Sequence, residues 1–112
     1  MSSARRYLAN FVVTADSVMR LAVVVVSADG RLSAIEPFSA ETASTIFVPG
    51  ILVVAPEGMA DVAMFRSLIK ESTAATAQAV ADALGSHGAV HDGKVGLYAI
   101  DVAANAVSVV FP

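Results

Sequence analysis

Two histidines four positions apart, His87 and His91, followed at once by Asp92, are the side chains of this sequence best suited to chemistry. On a helix that spacing would turn both imidazoles toward one metal ion, and the Asp92 carboxylate would add an oxygen. Gly88 and Gly93 stand in the same segment and read as loop, where the spacing no longer aligns the rings. A third protein ligand would have to come from a residue such as Glu57 or Asp61, and their spacing gives that no support. The plainer reading is a pair of exposed loop histidines, so we expect no bound metal and no cofactor.

Other chemistries fare no better. There are no cysteines, which removes disulfides, thiolate nucleophiles and cysteine–zinc sites. A serine nucleophile needs a base beside it held by a third group, and no Gly-x-Ser-x-Gly elbow occurs. Glu36 and Glu41 flank a proline-containing loop and read as solvated charges. Gly85, Gly88, Gly93 and Gly96 fall in a helix stop, a loop and a strand start, so they do not make a phosphate-binding loop. The methionines and aromatics read as core fillers. No catalytic residue is assigned.

Composition narrows the class. Of 112 residues, 56% are hydrophobic and 15% charged, and the mean hydropathy is +0.71. A chain of this length fits one domain and buries about two-thirds of its unfolded surface. The longest apolar run, Leu21 to Val26, is strand length and far short of the ~18 residues that suit a membrane helix. Net charge is −3 with seven basic residues scattered, against nucleic-acid and polybasic membrane binding. The basic start leads to no clean cleavage site, so cytoplasm is the expected compartment.

The elements follow from periodicity. Arg6 to Val13 alternates, and Val18 to Ser27 is a β-rich run whose four valines predict burial on both faces. Asp29-Gly30 supplies the positive φ angles of a tight hairpin, pairing Val23–Ser27 with Arg31–Ile35, and Glu36-Pro37 ends the strand. Thr45–Val48 and Ile51–Ala55 are two short strands separated or kinked by Pro49-Gly50. Val62, Phe65, Leu68 and Ile69 share a helical face. Ser72 or Thr73 caps a second helical stretch to Leu84, with Gly85 as its left-handed stop. The spacing leaves open whether 60–85 is one helix or two. Val95–Val102 and Val107–Phe111 form a hairpin turned by Ala103-Ala104-Asn105. We therefore expect a single domain over 1–112: strands in 6–55, helix in 60–85, and a β hairpin in 95–111.

The order of certain motifs resembles the small β domain of the amidohydrolase superfamily of metal-dependent hydrolases. They are Leu8-Ala9-Asn10-Phe11-Val12-Val13-Thr14, Asp29-Gly30-Arg31-Leu32-Ser33-Ala34-Ile35, Val48-Pro49-Gly50, and Gly93-Lys94-Val95-Gly96-Leu97-Tyr98-Ala99-Ile100-Asp101. Together they cover roughly 7–54 and 93–111. In that family the β domain is assembled from both chain ends and flanks a catalytic (β/α)8 barrel. The resemblance implies a mainly β, α+β fold: a small β-sandwich or pseudo-barrel of N- and C-terminal strands, covered by one or two helices.

The departures matter as much. Where the family places a His-x-His metal pair, this sequence has Leu52-Val53-Val54. The family's Ala-Asp pair before the returning apolar run is missing. About forty residues stand where a barrel needs ~200 at the least. No functional residue of the family carries over. The expectation is a non-catalytic module acting through self-association, as a two-fold dimer, or through a protein partner. The alternative is a small-molecule or metal-binding protein with a residual hydrolase-like site near His87 and His91.

Overall fold

A computed structural model describes residues 4–38, 45–56, 62–85 and 94–111. Six strands form one mixed sheet: β1 (Arg5–Val13), β2 (Val18–Val26), β3 (Leu32–Pro37), β4 (Thr45–Pro56), β5 (Val95–Asp101) and β6 (Ala106–Phe111). Two helices, α1 (Val62–Arg66) and α2 (Thr73–Gly85), lie between β4 and β5 in sequence. The sheet order is β3-β2-β1-β4-β5-β6, with β1 and β4 parallel and every other pair antiparallel. The fold is mainly β, of the α+β class, as the strand periodicity implies.

β4 joins the two ends of the chain. It pairs with β1 on one side and β5 on the other, so strands read early and late share one sheet. Its centre, Ile51 to Ala55, is buried on both faces, which explains an unbroken apolar run where edge strands alternate. Leu52, Val53 and Val54 are all in the core.

The sheet has a core on each side. On one face α1 and α2 pack their apolar stripes, Phe65, Ala77, Val80, Ala81 and Leu84, against Val13, Ile51, Val53 and Ile100. On the other, Tyr7, Ala9, Val24, Leu52, Val54 and Leu97 meet one another because the sheet curls. The curl brings the β2–β3 turn to the start of β5: the Val95 N–H donates to the Gly30 carbonyl at 3.0 Å, and Arg31 forms a bridge with Lys94. That contact makes the sheet a partly closed barrel, the pseudo-barrel expected from the resemblance.

Several local expectations are corrected. Of the two readings of Pro49-Gly50, a separation and a kink, the kink holds: β4 is one strand that carries a bulge there. One β1 residue lies between Ala9 and Phe11, whereas two β4 residues lie between their partners Val48 and Ile51. At the same level Asn10 faces Leu21, which has a φ of 52°, and β1 and β2 exchange faces there: Ala9 and Val12 both belong to the curled-in core. Proline and glycine mark a turn in a lone segment, but here the β1 ladder, present before and after them, carries the strand through.

In the Asp29-Gly30 hairpin only Gly30 has positive φ, at 86°. Its N–H donates to the Ser27 carbonyl, closing a three-residue loop rather than a two-residue one. Glu36 and Pro37 are the last residues of β3, not the ones beyond it. The helical stretch is two helices, and Gly85 is the last residue of α2 without positive φ, not a left-handed stop. The Ser72 cap is present: its Oγ accepts the Ala75 N–H at 3.1 Å. The break before it is held by Thr76, wholly buried, whose Oγ1 accepts the Lys70 N–H at 2.8 Å and donates to the Ser72 carbonyl at 2.9 Å.

Candidate functional site

His87, His91 and Asp92, with Glu57, Asp61 and Glu41, lie outside the described residues. Among the described residues no three His, Asp or Glu side chains stand close enough to hold a metal ion. Glu36 is tied rather than free: Arg6 Nη2 donates to its Oε1 at 3.2 Å across a half-exposed surface. Arg20 lies over the Phe11 ring, 5.3 Å from its centroid. These contacts are structural.

The Ser27–Asp29–Arg31 turn is the most organised polar group. Ser27 Oγ donates to Asp29 Oδ1, and Arg31 Nε donates to Asp29 Oδ2 at 3.1 Å. The hydrogen bond from Ser27, aided by the Arg31 charge, holds the Asp29 carboxyl below its ordinary value of 3.8. A depressed carboxylate of this kind is a poor general base, and it rigidifies the hairpin that closes the curl.

What the fold leaves open is apolar. β5 accompanies β4 only along Ile51–Pro56, so among the described residues Ile46–Val48 has β1 on one side and no paired strand on the other. Beyond the end of β5 a groove of about 440 Å³ opens between β4 and the β5–β6 hairpin. Ile46, Phe47, Pro49, Ala106 and Val110 line it, with Ser108 and Asp101 as polar members. Ile46 is 48% exposed and Phe47 53%, although adjacent residues of a strand point to opposite faces. Asp101 is committed to its turn, accepting the Ala104 N–H at 3.1 Å. The groove offers contact area and no catalytic pair.

The apolar stripe of Val62, Phe65, Leu68 and Ile69 does not add to this open surface. That stripe packs against the sheet, with Phe65 wholly buried and its ring centroid 4.8 Å from that of Tyr98. Among the described residues the exposed large apolar side chains are instead Leu21, Ile46, Phe47 and Val109. A signal for the open surface was present: Ile46, Phe47 and Val48 are apolar on both alternating sets just before Pro49-Gly50.

No protein-family model matches the chain, and no curated protein matches it. Among solved structures, the crystal structure of a candidate prolidase from Bifidobacterium longum aligns over 47% of this chain at 21% sequence identity, with a TM-score of 0.35. The aligned part is 15% of that protein, so this chain spans a small fraction of its length. The likeness is loose and assigns neither a family nor an activity.

Proposed function

We propose that this chain is a non-catalytic β module, related to the small β domain of the amidohydrolase superfamily, that works by binding other protein surfaces, a second copy of itself first among them. The observation that carries the reading is the apolar rim at Ile46 and Phe47, half exposed on both faces of one strand beside an apolar groove. Exposed apolar clusters of this kind mark contact surfaces. Relation to the β domain is supported by β5 and β6 joining β1–β3 through β4, and by helices standing where a barrel would begin.

Solution mass tests the reading. Light scattering on a size-exclusion peak at tens of micromolar protein is expected to give twice the monomer mass, because two-fold dimers are the commonest closed assembly. Monomer mass would overturn self-association. Elemental content after dialysis is expected to show no stoichiometric zinc, iron or nickel; one metal per chain, lost on joint His87→Ala and His91→Ala substitution, would replace the non-catalytic reading with a metal site.

A further inference from the structure

The two outermost strands of the sheet are treated differently by the sequence. β3 is guarded: it ends in Pro37, carries Glu36 held by Arg6, and begins beside the Arg31–Lys94 bridge. β6 reads Ala-Val-Ser-Val-Val-Phe, with no charge, glycine or proline. Among the described residues it pairs with β5 alone. A neutral, valine-rich outer strand is a template for a further strand, and edges kept single usually carry charges or proline.

We infer that a second copy of this chain adds to β6, pairing antiparallel with its own counterpart about a two-fold axis at Ser108. The inference rests on the association reading above and gives it a surface and a register. Val107 and Val109 point to the helix-bearing face, since they pair with Ile100 and Tyr98. Val107 is buried at 9%, whereas Val109 lies beyond the helices at 56%.

Directly opposed residues of an antiparallel pair share a face, with Cβ atoms about 4.5–5.5 Å apart. An axis at Ser108 therefore sets the exposed Val109 of each copy against Val107 of the other, twice. Ala106 then meets Val110, and both are groove residues, so the groove wall runs on into the partner. The two Ser108 hydroxyls face each other at the axis.

Neighbouring registers do worse. An axis at Val107 sets Val109 against Asn105, a left-handed turn residue. An axis at Val109 sets Val107, on the helix-bearing face, against Phe111, which the bulge at Val110 turns to the other face. An axis between Ser108 and Val109 opposes residues of different faces. The neutral strand also accepts its own copy without opposing like charges.

Because the chain has no cysteine, Ser108→Cys introduces a single thiol. Cα atoms of directly opposed residues fall within disulfide reach, about 4.4–6.8 Å. Mild oxidation at tens of micromolar is expected to convert Ser108→Cys to a covalent dimer, while Ser33→Cys, exposed on the guarded edge, stays monomeric. Val109→Lys is expected to weaken association by about tenfold or more, with an unchanged circular dichroism spectrum. On the unsubstituted protein, the amides of 106–109 are expected to exchange more slowly at high concentration than at low. A dimer by mass in which Ser108→Cys crosslinks no faster than Ser33→Cys, or β6 exchange is independent of concentration, overturns this surface and leaves the association reading standing. A monomer by mass overturns both.

Discussion

Gly50 lies against the Ile100 carbonyl so closely that a Cβ at position 50 would overlap that oxygen. Its φ of 86° adds a second reason for glycine. The bulge that bends β4 is thus locked to β5 by the absence of a side chain. Gly50→Ala is expected to lose about 3 kcal/mol or more, combining left-handed strain with overpacking. Chemical denaturation followed by circular dichroism measures it, and a loss within error of zero would mean that β5 yields at Ile100.

Thr76 is the one polar side chain buried completely among the described residues, and both of its hydrogen bonds lie in the connection between α1 and α2. Replacing it with valine keeps the shape and strands the Lys70 N–H. Thr76→Val is expected to cost about 1–3 kcal/mol, and Thr76→Ser to retain most of the stability. Equal losses in the two variants would assign the effect to the methyl group instead.

Asp29 gives a pH dependence with a defined sign. Its folded-state pKa lies below 3.8, so the unfolded chain binds the proton more readily. The stabilisation is therefore present above the ordinary carboxylate value and fades as pH falls through the lower folded value. A carboxyl chemical-shift titration should place the midpoint below 3.8, and Ser27→Ala, which removes the largest cause, should move it upward. An unmoved midpoint would transfer the effect to Arg31.

A chain ending after Gly85 loses β5 and β6. Val95, Leu97, Ile100 and Val107 leave the core with them. At ~1.5–3 kcal/mol for each buried side chain the loss is roughly 6–12 kcal/mol, comparable to an entire native stability of ~5–15 kcal/mol. The 1–85 fragment is expected to lack a cooperative thermal transition. A sharp transition would show that β1–β4 and the helices are self-sufficient.

Local chemistry made much of this fold legible. Alternation placed β1 and β3, and the valine run placed β2. Helical spacing at Val62 and Phe65 placed α1, which ends at Arg66 before the expected Leu68 and Ile69, and Ser72 announced α2. What escaped was non-local. Pro49-Gly50 looks like a break because a segment read alone does not show that β1 carries β4 across it. The groove was missed for the same reason: Ile46 and Phe47 are exposed because β5 ends at the level of Gly50, some fifty positions away in sequence. For the candidate site, only the strand order located the uncovered apolar surface.

β4 also has a timetable. Its β1 partner precedes it, but its β5 partner follows about forty residues later, after both helices. At synthesis rates of ~5–20 residues per second that interval is roughly 2–8 seconds, whereas hairpins such as β2–β3 close within ~1–10 microseconds. During each round of translation the strand that gives the described core more residues than any other therefore waits half-paired at the ribosome, and the α1–α2 segment is the next of its covers to emerge.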